Sequence, residues 1–277
     1  MNNRLRMEYY STYSFVDLIH DLAVNGYEVP EIYDGFDSFI ELYQNDIVLP
    51  FQKSSVLHQF IDFAVYLAFR EEVDDVVLDS VVNNKDYILW LNEALKTYKI
   101  THLGFKDWLQ TCSLSLDKLE HEKTILEYYD YLYEMGSFQG LLQQISDEVF
   151  FVLFMNRNFL YHFNKQVSTR IAKIKAQDFA DGCRILFKKD GFLRRVSIPT
   201  WVKKAVFYRD RGICSNCRKD ISGLINIHNS KHFDHIIPLA SGGLNDISNF
   251  QLLCEACNLS KKDKEIQVSK IYERWYW

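Results

Sequence analysis

Apolar residues recur at helical spacing through most of the first two thirds of the chain. One such stretch, 14–24, ends at Asn25-Gly26, and Pro30 suits the first turn of the next helix. Ser54 or Ser55 suits the cap of a third. The pattern predicts helices over 14–24, 30–43, 55–69, 86–98, 105–111, 116–134, 138–155 and 156–175. We therefore predict a mainly α-helical N-terminal domain.

A different pattern follows residue 180. Short apolar runs flank Asp190-Gly191, a pair typical of a hairpin turn, and Pro199 suits the start of another helix. Near the end of the chain, two apolar runs are separated by a polar loop and followed by a basic segment. The pattern predicts strands at 184–187 and 192–195, a helix over 199–210, strands at 233–237 and 250–253, and a helix after residue 257. The end of the chain is thus predicted to be a small α+β module.

The net charge of −5 conceals two parts of opposite sign. Residues 1–150 carry 10 basic and 26 acidic side chains, a net charge of −16. Residues 151–277 carry 22 and 11, a net charge of +11. A polyanion is repelled by the first part and attracted by the second. We expect nucleic acid to contact the C-terminal part, and the acidic domain to suit a protein partner.

Two Cys-x-x-Cys pairs near the end of the chain suggest a metal site. Cys214 and Cys217 form the first pair, Cys254 and Cys257 form the second, and 36 residues separate the pairs. Four thiolates in tetrahedral geometry are the ligand set of a structural Zn²⁺. The two remaining cysteines, at positions 112 and 183, are predicted to be unpaired buried thiols in a reducing compartment.

The chain begins with a segment too short and too polar for a signal peptide, and no run of eighteen apolar residues occurs. These features predict a soluble, cytoplasmic protein that does not contact a membrane. Its 277 residues, 48% of them hydrophobic, are enough for a large core and for two domains.

The segment between and around the cysteine pairs carries a more specific pattern. It reads Asp234-His235-Ile-x-Pro238, then Gly242-Gly243 and Asn249, then Leu253-Cys254-x-x-Cys257-Asn258-x-x-Lys261. This pattern resembles the HNH nuclease family, whose fold is the ββα-metal module, in an H-N-N version. The resemblance covers roughly the last quarter of the chain.

The resemblance implies a role for each residue of the pattern. His235 is expected to be the general base, and Asn249 to orient it. Asp234 and Asn258 are expected to hold a catalytic divalent ion. Because an amide oxygen is a hard ligand, Mg²⁺ or Mn²⁺ is the expected ion. A neutral imidazole takes the proton of the attacking water, and the cation stabilises the charge that develops on the phosphate.

Basic residues close to this pattern are candidates for contact with the phosphate backbone. They are Lys203, Lys204, Arg209 and Arg211 of the predicted helix, and Lys261 and Lys262 after the second cysteine pair. Ordinary surface charge is the alternative interpretation. Their position beside a phosphodiester site favours nucleic-acid contact for some of them.

Together these features predict an acidic α-helical domain over 1–180, a basic ribbon or linker over 181–198 and an HNH-like nuclease domain over 199–277. The predicted function is metal-dependent cleavage or nicking of DNA. Among the roles of the family, the acidic domain and the absence of a secretion signal favour a phage-defence effector. The alternative is a zinc-stabilised protein that binds nucleic acid or docks a partner without catalysis. Binding alone does not require Asp234, His235 and Asn258, so the pattern favours the nuclease.

Overall fold

The computed structural model describes residues 5–24, 35–71, 73, 89–112, 121–224, 231–262 and 264. Across these residues the chain is mostly helical, with two short antiparallel sheets in its C-terminal part. The predicted fold class, a mainly α protein with a small α+β module, is confirmed. In the ranges just given, no helix combines the length and the apolar character needed to cross a membrane.

The described elements follow one another in a simple order. The helices are α1 (Thr12–Val24), α2 (Gly35–Ile47), α3 (Val56–Glu71), α4 (Trp90–Thr97), α5 (Phe105–Thr111), α6 (His121–Glu134), α7 (Ser137–Phe154), α8 (Arg157–Ile171), α9 (Asp181–Arg184), α10 (Thr200–Asp210) and α11 (Glu255–Lys261). The strands are β1 (Phe187–Lys189), β2 (Phe192–Leu193), β3 (Phe233–His235) and β4 (Phe250–Leu252).

Most predicted helices lie where the hydrophobic pattern puts them, with ends that differ by a few residues. The bounds of α5 are those predicted. Ser55 caps α3, because its Oγ accepts from the backbone N–H of His58 at 3.3 Å. α2 continues to Ile47 instead of ending at residue 43. The predicted helical segments 30–34, 86–88 and 116–120 lie outside the described residues.

The predicted basic ribbon is present but begins later in the chain. Asp181–Arg184 form helix α9, where the Arg184 guanidinium pairs with the Asp181 carboxylate at 2.6 Å and donates to the backbone oxygen of Phe179 at 2.9 Å. The first strand therefore starts at Phe187 and not at residue 184. It pairs antiparallel with β2 through a turn in which Gly191 has a φ of +71°.

The described residues cluster into two compact units, neither of which is continuous in sequence. The first contains residues 5–19 and 60–150, and the second contains residues 20–24, 35–59 and those from 151 onward. The second unit thus includes helical segments of the acidic half together with the strand-and-cysteine module. The division into domains at residues 180 and 198 stays a prediction.

Aromatic side chains fill the core of the first unit. Phe69, Tyr128 and Phe138 are fully buried, and the Phe69 and Phe138 rings meet edge-on with centroids 5.7 Å apart. Edge-to-face pairs of this kind add to the stabilisation that burial provides. These rings are structural, and none of them is available to stack on a nucleic-acid base.

In the second unit, the early helices hold the loop that leads into β4. The carboxylate of Asp246 accepts the backbone N–H of Val56, at the start of α3, over 3.0 Å. The amide of Asn164, on α8, donates to the backbone oxygen of Ser248 at 3.0 Å, and the Ser248 hydroxyl donates back at 3.3 Å. Asp246, Ser248 and Asn164 are buried, so these hydrogen bonds are protected from water.

A buried ion pair at the end of α10 positions β4. The Arg209 guanidinium pairs with the Asp210 carboxylate through two 2.9 Å hydrogen bonds, and neither side chain is more than 1% exposed. Arg209 also donates to the backbone oxygen of Phe250 at 2.6 Å, and Asp210 accepts the backbone N–H of Leu252 at 2.9 Å. The pair therefore holds both ends of the three-residue strand.

Asp210→Ala should lower the free energy of unfolding of the second unit by about 3–5 kcal/mol, because it leaves the Arg209 charge buried and unpaired. Urea denaturation followed by tryptophan fluorescence measures this loss. The double variant Arg209→Met, Asp210→Leu removes both charges and should recover much of the stability. A single variant as stable as the wild type would contradict this account of β4.

Candidate active site and zinc centre

The strands and helix of the C-terminal module form a ββα unit. β3 and β4 pair antiparallel, with Phe233 opposite Leu252, Asp234 opposite Gln251 and His235 opposite Phe250. Helix α11 follows β4 after a two-residue step. His232 closes the open end of the ribbon, since its backbone oxygen accepts the N–H of Leu253 at 2.9 Å. The predicted order of strand, loop, strand and helix is thus observed.

The four paired cysteines converge at one end of this unit. Their sulfur atoms all lie within 4.8 Å of one another, and the Cys217 and Cys254 sulfurs are 3.7 Å apart. In a tetrahedral zinc site with Zn–S bonds of about 2.3 Å, neighbouring sulfurs are roughly 3.8 Å apart. The positions of Cys214, Cys217, Cys254 and Cys257 therefore fit a structural Zn²⁺.

Local structure aims both cysteine pairs at one point. The backbone N–H of Cys214 donates to Lys219 and the N–H of Arg218 donates back to Cys214, which closes the first pair into a tight turn. The N–H of Ser215 donates to the oxygen of Leu252, so this turn is joined to β4. Burial and the neighbouring thiols raise the pKa of Cys257 to about 12, against the partial effect of a hydrogen bond from Asn216. A bound cation reverses this preference because it favours the thiolate.

Only one of the other two cysteines is buried as predicted. Cys183 is buried, while Cys112 is exposed to solvent. Cys112 is the C-cap residue of the short helix α5, where the buried apolar stripe of Phe105, Trp108 and Leu109 ends.

The His235 ring is buried and neutral. It is 2% exposed and lies against the Phe250 ring, with centroids 4.2 Å apart. Burial lowers the pKa of His235 to about 3, helped by the positive charges of Arg195 and Lys261 and opposed by a hydrogen bond with Asn245. The neutral ring is the form that accepts a proton. Because the ring is withdrawn from water, its pKa lies well below the ordinary value of an imidazole.

One nitrogen of this ring is bonded and the other is not. Nε2 of His235 lies 3.3 Å from Oδ1 of Asn245. Nδ1 is buried and has no hydrogen-bond partner among the described residues. A buried nitrogen of this kind costs free energy unless it meets water or a ligand. Nδ1 is therefore the position at which the ring is able to take a proton.

Asn249 is buried but organises the loop and not the ring. Its Oδ1 accepts the N–H of Ile237 at 2.8 Å, and its Nδ2 donates to the oxygens of Ile237 and Leu244 at 3.0 Å each. The loop it closes is tight: a Cβ at Gly243 would lie 1.9 Å from the Ile237 oxygen, so only glycine fits there. Asn249 thus holds the backbone that follows His235 and makes no hydrogen bond to the His235 ring among the described contacts.

Asp234 shares an ion pair with a buried lysine. The ammonium of Lys261, on α11, lies 2.7 Å from Oδ2 of Asp234 and donates to the backbone oxygen of His235 at 2.7 Å. Lys261 is 1% exposed. The contact ties α11 to β3 and places a positive charge directly beside the candidate base.

The two side chains predicted to bind a catalytic cation carry suitable donor atoms. Asp234 offers a carboxylate, and the Asn258 side chain offers an amide oxygen, since it uses its Nδ2 to donate to the backbone oxygen of Lys231 at 2.9 Å. Two hard oxygen donors suit Mg²⁺ or Mn²⁺, which retain water in their remaining positions. The Lys261 ammonium already neutralises Asp234, and this weakens the attraction of the carboxylate for a cation.

The basic residues predicted to bind nucleic acid separate into two groups. Lys203, Arg209 and Lys261 are buried. Phosphate contact by Arg209 or Lys261 would require their ion pairs with Asp210 and Asp234 to open. The exposed residues of the predicted set are Lys204, Arg211 and Lys262.

Three further residues were not singled out by the sequence. Asn245 bonds the His235 ring, Arg195 lies close enough to lower its pKa, and Tyr208 on α10 is 73% exposed. The sequence signal for Tyr208 was present, since it lies four residues after Lys204 and so shares its helix face. No local signal marks Asn245, because its partner depends on the fold of the loop.

Comparison with known proteins identifies one part of the chain. Residues 214–264 match the family model described as HNH endonuclease, so this segment is an HNH endonuclease domain. Such a domain acts on nucleic acid as a nuclease in the general sense. The resemblance inferred from the motif is thus confirmed. No curated protein and no solved structure matches the chain.

Cys214→Ser should abolish zinc binding and unfold the C-terminal module, because small modules of this kind draw folding free energy from the metal. Zinc content by elemental analysis and far-ultraviolet circular dichroism measure the two effects. Cys112→Ser, at an exposed cysteine distant in sequence from the pairs, is the matched control and should keep both. Wild-type protein purified without chelator and found to lack zinc would refute the centre.

Proposed function

We propose that the chain is a metal-dependent endonuclease that hydrolyses DNA phosphodiester bonds, with His235 as general base. The observation that carries the proposal is the buried, neutral His235 ring, whose Nδ1 has no partner within the described parts of the chain. This ring lies in a segment that matches the HNH endonuclease family, and it directly follows Asp234 in the chain.

The protein residues divide the work of hydrolysis. His235 Nδ1 accepts the proton of the attacking water, since its lone pair is not used by any described partner. Asn249 holds the loop after the base, and Lys261 holds the backbone of the base itself. Asp234 and Asn258 would hold the divalent ion, which when bound supplies positive charge to the phosphate as negative charge develops.

The exposed face of α10 supports the choice of a nucleic-acid substrate. Lys204 and Tyr208 are spaced to share one face of the helix, Arg211 is its left-handed C-cap residue, and all three are exposed. Two cations beside an aromatic ring suit a backbone phosphate and its neighbouring sugar or base. The net charge of +11 over residues 151–277 favours the same partner. A role as a phage-defence effector stays a prediction from the sequence.

Alanine at His235, Asp234 or Asn258 should each abolish plasmid cleavage in the presence of Mg²⁺, with a loss on the order of 10²-fold or more for the base. Zinc content should not change, and each variant should remain folded at the assay temperature. Asp234→Ala should lower the thermal midpoint, because it leaves the buried Lys261 ammonium without its carboxylate. His102→Ala, at a histidine bonded to the backbone of Ile100, is the control and should cleave normally.

The outcomes of this assay separate the candidate functions. Unchanged cleavage by His235→Ala would end the assignment of the base. Wild-type protein that binds DNA but cuts neither DNA nor RNA with Mg²⁺ or Mn²⁺ would favour the non-catalytic binding module. Cleavage of RNA alone would replace DNA as the substrate.

Lys204→Ala and Arg211→Ala should each weaken DNA binding uniformly across sequences and reduce the slope of log K against log salt by about 1, because each removes one phosphate contact. Fluorescence anisotropy without divalent ions measures binding with no cleavage. Lys106→Ala, at an exposed lysine of α5, should leave the slope unchanged. If the salt dependence of the Lys204 and Arg211 variants is also unchanged, these residues are not part of the DNA-binding surface.

A further inference from the structure

Asn245 occupies the centre of a small hydrogen-bond network around the candidate base. It is 4% exposed, and it contacts three separate segments of the second unit. Its Oδ1 faces Nε2 of His235 at 3.3 Å, and its Nδ2 donates to the backbone oxygen of Arg194 at 2.8 Å. Its own backbone oxygen accepts the N–H of Phe51 at 2.9 Å. Asn245 is therefore held at its side chain and at its backbone.

The contact with Arg194 determines which way the Asn245 amide points. A backbone carbonyl oxygen only accepts hydrogen bonds, so the amide NH₂ of Asn245 has to face Arg194. The amide oxygen then has to face His235. An amide oxygen also only accepts, so Nε2 of His235 has to carry the proton of the neutral ring. The lone pair is left on Nδ1, the buried nitrogen without a partner among the described residues.

We propose that Asn245 is the positioning residue of the active site: it fixes His235 as the Nε2–H tautomer and so presents the Nδ1 lone pair to the attacking water. This inference rests on the proposed function of His235. It assigns to Asn245 the direct contact with the ring, while Asn249 holds the loop backbone.

The anchor of Asn245 lies in the turn between α2 and α3, far away in sequence. Phe51, in this turn, has a φ of +52°, a left-handed conformation that an ordinary side chain adopts at a cost in free energy. In that conformation its N–H reaches Asn245, and its ring packs on Phe250 with centroids 5.7 Å apart. Phe250 in turn lies against the His235 ring. The turn therefore supports the candidate base in two ways. It packs on Phe250, which contacts the His235 ring, and it is hydrogen-bonded to Asn245.

The tautomer is tested first on the full-length wild-type protein with its zinc. Nitrogen-15 NMR of selectively labelled histidine distinguishes a protonated from an unprotonated ring nitrogen, and His235→Ala assigns the signal. The proposal requires a neutral His235 protonated at Nε2. A ring protonated at Nδ1 would overturn it without any need for an Asn245 variant.

Asn245→Ala should then lower kcat on the order of tenfold with KM nearly unchanged, because the base loses its orientation while the DNA surface is intact. The His235 signal should show loss of the pure Nε2–H form, a change that a merely structural role for Asn245 would not cause. Zinc content and thermal unfolding establish that the variant is folded. Asn158→Ala, at a partly exposed asparagine of α8, is the matched control.

The results keep this proposal separate from the function on which it rests. If His235→Ala still cleaves DNA, the proposed function fails. If His235→Ala is inactive while folded Asn245→Ala keeps the wild-type kcat and the Nε2–H signal, the role of Asn245 fails alone. If Asn245→Ala does not fold, the wild-type tautomer measurement decides the proposal.

Discussion

The C-terminal module depends on the buried ion pair between Arg209 and Asp210. β3 and β4 contain three residues each, and an isolated ribbon of that length is not stable in water. The pair holds Phe250 at one end of β4 and Leu252 at the other. The two charges are removed from water. Each hydrogen bond of the pair is therefore strong, and the loss of any one of them would cost much free energy. The position of β4 follows from this pair.

The position of the candidate base also depends on β4. His235 is opposite Phe250 in the ribbon, and its ring packs against the Phe250 ring. The strand that Arg209 holds therefore also packs against the candidate base. The cysteine cluster lies at the other end, where Ser215 is bonded to Leu252 and Cys254 is the N-cap residue of α11. A buried ion pair at one end and the cysteine cluster at the other thus flank a ribbon that has little stability of its own.

The basic residues of this module divide into buried and exposed ones. Arg209 and Lys261 are inside, where they hold a strand and a carboxylate. Lys204 and Arg211 are outside, where they are free to meet an anion in solution. Interior cations need fixed partners because desolvation is expensive, and exterior cations gain little from a partner because water already solvates them. The same residue types therefore serve structure within the module and, on its surface, are the proposed contacts to nucleic acid.

The local pattern of the chain predicted most of the helices, the ribbon and the cysteine cluster, and the resemblance to the HNH family pointed to His235 as the candidate base. Helical spacing, turn residues and ligand spacing are properties of neighbouring positions, so they can be recognised without a structure. The burial of Lys261 and the contact of Asn245 with the ring were decided only by the tertiary structure. Each depends on atoms brought together from distant segments, and no spacing along the chain encodes which cation is desolvated or which amide faces the imidazole.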